Sequence, residues 1–539
     1  MGLNFATAWE AVAEAIPDSD ALIQGDLRRS WAVCEDRAAR LASALAEAGL
    51  GPAANLGLCL FNGVEYSEAQ FAAFKQRVTP FNVNYRYTAA ELHALLEGAD
   101  AQALFFDASL ASAIDEIRGE LPLMRLYVQV GADEAPAWAE SYEGLIAGHA
   151  PAPRIERAPD DIWMLFTGGT TGQPKGVMWP HRAMIETMKT TYRGLKQEVP
   201  RTIEEVVASV HDIHTRGLVT RQLAAAPLMH GTSGIAALTT QMTGGAILTL
   251  EDRSFSGDEL FRCVERHHAT HLTIVGDAFS RPMLEALDAA RERGEPYDLS
   301  SIFLILSSGV MWSAPMKQRL LEHNPRMRLM DSLGSSEGVG FAAKLEGDAE
   351  KATTARFRLG EFTKVITEDG REVEPGSGER GRLALGGPLP LGYYKDPKTS
   401  EETWPTIDGR RYSIPGDFAT VESDGTIVLL GRGSACINSG GEKIYPEEVE
   451  EALKLDPAVV DCNVVGVPDE RWGQAVAAVV KLTHPDVSDQ DLIAAVKERL
   501  AGYKAPKHIV RVDDFLRNDN GKSNYRWAGE TARRALGLE

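Results

Sequence analysis

Cysteine is scarce: Cys34, Cys59, Cys263, Cys436 and Cys462 are the only five in 539 residues. They are odd in number, widely spaced and contain no CxxC pair. That excludes a disulfide framework and points to a reducing, cytoplasmic compartment. Positive charge is also in deficit. Fifty-six Lys and Arg face 77 Asp and Glu, for a net charge of −21. A general nucleic-acid-binding surface is thereby disfavoured, whereas a small, locally basic site for a phosphorylated ligand is not. Long apolar runs are missing too. The stretch 223–250 carries no Asp, Glu, Lys or Arg, but it holds Pro227, Gln241, Gly231, Gly234, Gly244, Gly245 and several Thr. It reads as buried helix and loop, so no transmembrane segment is expected. The N-terminus has neither a basic start nor a long apolar core, which argues against a signal peptide. Ala6 stands where a myristoylation site needs Ser or Thr. No internal repeat or low-complexity tail is evident.

What is present is a soluble-protein balance of 44% hydrophobic and 25% charged residues, in a chain long enough for two or three domains. The first 150 residues alternate short apolar runs (Leu56 to Leu60, Ala103 to Phe106) with amphipathic helices (Arg40 to Ala48, Glu91 to Gly98). The same alternation returns between Leu223 and Met330. Such a pattern predicts parallel sheet with helical crossovers. After about Gly360 the segments GRLALGG and GTIVLLGRG predict antiparallel hairpins, with Asp424-Gly425 as a turn. The last hundred residues read as a small α+β unit. Its predicted helices are Glu447 to Leu455 and Asp491 to Leu500, and its strands are Val459 to Val467 and Ala475 to Leu482. Glycines flanking Arg432 mark the boundary, giving domains 1–431 and 432–539.

The most informative stretch is DIWMLFTGGTTGQPKG, residues 161–176. An apolar strand runs into four glycines, three threonines and a lysine. Glycine lets backbone N–H groups turn toward an anion, threonine hydroxyls donate further bonds, and Lys175 supplies charge. The combination suits a triphosphate. It is not a Walker A loop, because the lysine follows Pro174 rather than glycine. The Gly-Lys-Ser at 521–523 has Leu516 where the first Walker glycine belongs. The alternative is a flexible surface loop with no ligand.

TGGTTGQPKGVMWPH resembles the signature loop of the adenylate-forming enzymes: acyl- and aryl-CoA synthetases, luciferases and peptide-synthetase adenylation domains. The likeness extends in order along nearly the whole chain. PLMHG, DSLGSSEG, PGDFA, GRGSACINSGGEKIYPEEVE and GKSNYRWA resemble the bacterial fatty-acyl-CoA ligase branch that includes steroid side-chain ligases. The resemblance implies an α/β fold. Its large N-terminal domain has stacked, mostly parallel sheets and a small β-barrel-like subdomain, and its small C-terminal α+β domain is mobile.

It also implies roles. Thr167, Gly168, Gly169, Thr170, Thr171, Gly172 and Lys175 match the loop that holds the β- and γ-phosphates. Ser332, Leu333 and Ser336 lie in the stretch facing the nucleotide, and Glu337 matches the Mg²⁺ ligand. Leu333 departs from the family's usual aromatic, so it offers adenine apolar contact without π-stacking. Asp417 matches the ribose-binding aspartate, and Arg432 the arginine that contacts ribose and phosphate. Lys522 matches the lysine that bridges the attacking carboxylate and the α-phosphate. His230 matches a residue at the mouth of the acyl pocket. Gly440 and Gly441 match the loop lining the pantetheine tunnel. Ser434 replaces the usual Asp or Lys of the hinge. Each of these residues also has an ordinary structural reading, as a loop acid, a turn residue or a solvated lysine.

Cys263, His267, His268 and His271, with the looser pair His211 and His214, match no metal-site spacing and read as packing or surface residues. The expected activity is an ATP- and Mg²⁺-dependent acid–CoA ligase for an apolar acid, with coenzyme A as co-substrate. The alternatives are an aromatic acid or a carrier-protein thiol as acceptor, and a non-catalytic binding protein on the same fold. Expected partners are small molecules, with no nucleic acid; a homodimer is compatible with the reading.

Overall fold

The computed structural model describes residues 3–538, apart from residues 133, 168–173, 311, 347–355, 433–434, 440–441, 470–472, 501 and 519–520. A seven-stranded sheet is built from the N-terminal alternation. Its order is Glu140–Ser141, Leu126–Val130, Ala101–Asp107, Asn55–Cys59, Thr79–Asn82, Ile162–Thr167, Lys175–Pro180. All neighbours are parallel except the last pair. Asn55–Cys59 is buried along its whole length, as a strand with helices over both faces must be. Ser30 caps the helix Trp31–Glu47. Thr88 and Glu91 form a reciprocal capping box for Ala89–Gly98.

A thirteen-stranded sheet carries the second alternation. Its parallel part runs Asp20–Gln24, Ala246–Thr249, Arg221–Ala224, His271–Ile274, Leu304–Ser308, Arg328–Ser335. The chain reverses at Ser336-Glu337 into the antiparallel strand Gly338–Glu346. The strands Arg356–Leu359, Thr426–Arg432, Asp417–Val421, Arg380–Leu385 and Thr363–Ile366 follow. The antiparallel part expected as a small barrel-like subdomain is thus hydrogen-bonded directly onto the parallel sheet. Gly425, at φ +79°, closes the Asp417–Val421/Thr426–Arg432 hairpin. The charge-free stretch 223–250 resolves into a crossover. Helix Gly231–Met242 links two adjacent parallel strands, and among the described residues no helix is long and apolar enough to cross a membrane.

The C-terminal part forms a separate five-stranded sheet, with strand Gly473–Leu482 at its centre and Val459–Asp469 antiparallel to it at one edge. His508–Arg511 adds to it in parallel. One face buries Val449, Leu453, Val464, Val480 and Leu492. The other packs Val467, Val479 and Val510 against Ala528 and Ala532 of helix Tyr525–Leu536. Period-two alternation along the strands feeds both faces at once.

Candidate active site

The glycine-threonine loop spans a hairpin, not a strand-to-helix turn. Thr167 is paired with Lys175 across antiparallel strands, and the loop connects them. Residues 168–173, hence Gly168, Gly169, Thr170, Thr171 and Gly172, lie outside the described residues. Asn82 holds the root of the loop. Its amide accepts from Phe166 N–H at 2.7 Å and donates to Phe166 C=O at 3.0 Å, as a strand neighbour would.

Lys175 is anchored by residues far along the chain. Its Nζ donates to Asp396 Oδ2 at 2.9 Å and to Thr399 Oγ1 at 3.0 Å. It also lies 5.2 Å from the centroid of the Tyr393 ring. The bonds from Lys175 and from Thr399 hold the Asp396 carboxyl down at about 2. Asp396 is at the same time the N-cap of helix Pro397–Thr403.

Tyr393 joins Lys175 to Glu337. Its hydroxyl donates to Glu337 Oε1 at 2.9 Å. The turn bearing Glu337 is fixed from three sides. Trp179 Nε1 donates to Ser336 C=O at 2.9 Å, while Trp404 Nε1 and Ser413 Oγ donate to Glu337 C=O at 3.1 and 2.8 Å. A carboxylate and hydroxyls beside an anchored lysine form a hard-oxygen donor set, which fits Mg²⁺ carried with phosphate oxygens. Ser332 is paired with Ser308 of the neighbouring strand. Leu333 packs, partly buried, against the cluster that holds Phe341, Val365, Leu383 and Leu385.

The backbones of Asp417 and Arg432 are paired across one antiparallel register, although the two positions expected at the ribose are fifteen apart in sequence. Gly440, Gly441 and the hinge position Ser434 lie outside the described residues.

Lys522 comes from the C-terminal sheet domain and reaches the large one. A Cβ built on Gly309, just past the strand Leu304–Ser308, would sit 3.8 Å from Lys522 Cε and 4.0 Å from Thr232 Oγ1. Since Ser308 pairs with Ser332, Gly309 adjoins the Leu333-Gly334 backbone. These are the carboxyl ends of parallel strands, where open α/β sheets bind ligands. His230 stands at the N-cap of helix Gly231–Met242, next to Thr232. Burial, followed by the charges of Lys522 and Arg86, pushes its imidazole down to about 4. It is therefore neutral at pH 7. Its Nε2 is buried with no hydrogen-bond partner among the described residues. The structure thus brings together Lys522 and His230, which sequence places 292 positions apart.

The histidines set aside as non-catalytic have their own surroundings. His267 Nδ1 lies 3.3 Å from Arg28, and His271 sits by Thr270 and the Phe303 ring. Among the described residues no group of three His, Cys, Asp or Glu is placed to hold a metal. Sequence reasoning missed Tyr393, Asp396, Thr399, Trp179, Trp404 and Ser413. Only Asp396-Pro397 carried a local signal, the Asp N-cap followed by Pro at the first helical position.

Residues 9–394 match the model of AMP-binding enzymes, and residues 448–522 match the AMP-binding enzyme C-terminal domain. The chain belongs to this adenylate-forming family, in its acyl-CoA synthetase branch. It is 39% identical over 539 residues to a 3-oxocholest-4-en-26-oate–CoA ligase of Rhodococcus rhodochrous, covering 98% of this chain and 96% of that one. A medium/long-chain-fatty-acid–CoA/3-oxocholest-4-en-26-oate–CoA ligase of Mycolicibacterium smegmatis matches at 39% with the same coverage. In structure, the chain superposes on the anthranilate CoA ligase AuaEII in complex with anthranoyl-AMP at a TM-score of 0.84 and 20% identity, covering 100% of this chain and 99% of that one. A benzoate CoA ligase from Burkholderia xenovorans LB400 gives 0.80 at 23% identity, covering 98% and 99%. These two likenesses establish the fold.

Proposed function

We propose that the protein is an ATP-dependent acid–CoA ligase for an apolar carboxylic acid of the fatty, branched or steroid side-chain type. The observation that carries this reading is the convergence of Lys522 and His230 at the strand ends that also present Leu333 and Glu337. The carboxylate oxygen of the acid attacks the α-phosphorus of ATP, and pyrophosphate leaves. The thiol sulfur of CoA then attacks the acyl carbon, and AMP leaves. The obstacle in the first step is repulsion between two anions, so the protein's contribution is neutralisation and alignment.

In this reading residues 1–431 form the substrate and ATP domain, and 432–539 the small domain that delivers Lys522. The ammonium of Lys522 bridges the attacking carboxylate and the α-phosphate. Thr167, the glycine-threonine loop and Lys175 hold the outer phosphates, and Asp417 and Arg432 hold the ribose. Glu337, oriented by Tyr393, would hold Mg²⁺, which supplies charge neutralisation at the phosphates. His230 is uncharged at neutral pH and so can line the acyl mouth without repelling the Lys522 ammonium. The small domain rotates between the half-reactions so that one site serves both. Names of the relatives support the acid class, as do the small and apolar segments PLMHGTSG and SSGVMWS. The five unbridged cysteines fit a cytoplasmic setting.

The test is a panel of fatty, aromatic and steroid side-chain acids, with pyrophosphate and acyl-CoA both measured. Turnover is expected with the fatty or steroid side-chain acids and with free CoA as acceptor. Turnover confined to aromatic acids, or to a carrier-protein thiol, would replace this substrate assignment. No CoA-dependent AMP formation with any acid would refute the ligase reading.

A further inference from the structure

The loop that delivers Lys522 is closed on itself. Asn518 N–H donates to Lys522 C=O at 2.9 Å and Gly521 N–H to Asn518 C=O at 2.8 Å. The Asn518 side-chain amide donates to Ser523 C=O at 3.0 Å. Gly521 takes φ +77°, a left-handed conformation that glycine adopts at no steric cost. A loop closed this way still needs a base, and Arg517 supplies it. Its Nη1 donates to Gly521 C=O, one residue before the lysine, at 3.0 Å. Its Nε and Nη2 donate to the two oxygens of Asp461 at 2.6 and 2.5 Å. That bidentate pair fixes the plane of the guanidinium as well as its place. Lys454 Nζ, 3.2 Å from Asp461 Oδ1, closes the group. The Arg517 and Asp461 side chains are only 18% and 19% exposed, so the pair is far less screened than a surface bridge. Burial pushes the Asp461 carboxyl up, but the charges of Lys454 and Arg517 outweigh it and hold it below its ordinary range.

Asp461 stands where the strand Val459–Asp469 changes register against its neighbour, between Val459 and Asp461. At that irregularity the carbonyl of Val460 accepts a hydrogen bond from the Arg281 guanidinium, which belongs to the large domain. Arg281 lies on helix Gly276–Glu292. The start of the same helix abuts the lysine loop, because a Cβ on Gly521 would meet Ala278 and Val275 side-chain atoms at 3.6 Å. One short stretch of strand therefore touches the large domain through Val460 and the Lys522 loop through Asp461.

We infer that Arg517 and Asp461 are positioning residues for the first half-reaction: they set the Lys522 ammonium over the site, with Arg281–Val460 docking the base of that unit on the large domain. Nothing in the pair touches substrate, so its effect passes through Lys522. The inference rests on the reading of Lys522 as the residue that serves acyl-adenylate formation and not thioester formation.

The two half-reactions are measured separately in the full-length enzyme. The first is read as acid-dependent pyrophosphate–ATP exchange with decanoic acid. The second is read as CoA-dependent AMP release from added decanoyl-AMP. Misplacing a catalytic group by an ångström costs on the order of 100-fold. Arg517→Ala and Asp461→Asn are expected to lower the exchange rate at saturating ATP by roughly 10- to 100-fold on that basis. The KM for ATP and the second half-reaction should stay within about twofold, as expected for a loss confined to one transition state. Arg517→Lys should recover part of the loss. Arg281→Ala, which leaves the interior of the small domain untouched, should slow exchange by several-fold and spare the second step. Lys522→Ala is the control for the underlying reading and should abolish exchange while AMP release from the adenylate survives.

Exchange lost in Lys522→Ala but unchanged in Arg517→Ala and Asp461→Asn would overturn the inference and leave the reading of Lys522 intact. Equal loss of both half-reactions in Arg517→Ala, Asp461→Asn and Arg281→Ala would also overturn it, since the group would then be merely structural. Unchanged exchange in Lys522→Ala would overturn the reading itself.

Discussion

Lys175 was legible from the glycine and threonine around it, whereas Glu337 and Lys522 were legible only through the resemblance of their segments to the motifs of the adenylate-forming enzymes. Their partners were not. Lys175 is held by Asp396 and Thr399, separated from it by 221 and 224 positions, and no periodicity ties residues over such a span. Tyr393, which orients Glu337 from 56 positions away, looks in sequence like either tyrosine of the pair before Lys395. Histidines show the same limit. His181 reads as a residue after a Trp-Pro pair, yet it is wholly buried beside the Phe5 and Phe74 rings. Its Nδ1 accepts from Phe5 N–H at 3.4 Å, and burial takes it from 6.5 down to about 3. His271 and His230 are likewise taken to about 4. A histidine with a lowered folded pKa takes up its proton mainly in the unfolded chain. Its contribution to stability is therefore complete above 6.5 and is lost as pH falls toward the folded value. Urea unfolding between pH 7 and pH 4 should show stability falling with acid, by up to about 1.4 kcal/mol per pH unit for each such histidine. His181→Gln should flatten the slope in that window. A slope unchanged by the substitution would mean that His181 is not titrating as described.

At the scale of elements, the sequence foretold most pieces and few of their neighbours. The predicted helix Glu91 to Gly98 falls within Ala89–Gly98, that at Arg40 to Ala48 overruns Trp31–Glu47 only by its C-cap Ala48, and the hairpin at Asp424-Gly425 is present. What could not be read is that the strand Arg356–Leu359 pairs with Thr426–Arg432, which stitches the antiparallel part onto the parallel sheet. Strand order is set by burial and edge pairing across distant segments, not by local pattern. Tight approaches between such strands leave a glycine signature visible only in the fold. A Cβ on Gly360 would lie 2.1 Å from the Gly340 carbonyl oxygen and 3.2 Å from that of Phe341. Gly360→Ala must push backbone apart and is expected to cost about 1–3 kcal/mol in urea unfolding. Gly148, where an added methyl would meet nothing within 4 Å and φ is ordinary, is the control: Gly148→Ala should leave stability within about 0.5 kcal/mol. Equal effects at both positions would contradict the packing described at Gly360.

For the whole molecule, net charge proved a poor guide to what is bound where. The chain carries −21 overall, yet residues 501–526 hold six Lys and Arg against three Asp. Arg517 in that strip is spent on Asp461, and Lys504 on Glu448 at 2.5 Å. Lys522 is carried to the large domain. In the proposed reading a few placed cations serve an anionic substrate in an acidic protein. The proposed chemistry activates the acid at its carboxylate by attack on the α-phosphorus of ATP. Oxygen tracing tests it most directly: a fatty or steroid side-chain acid labelled with ¹⁸O in both carboxylate oxygens is turned over with ATP and CoA, and the nucleotide and phosphate products are analysed by mass spectrometry. One labelled oxygen is expected in AMP and none in pyrophosphate, because the oxygen that bonds to the α-phosphorus leaves with it when the thiol takes the acyl group. Unlabelled AMP, or label recovered in inorganic phosphate, would contradict it.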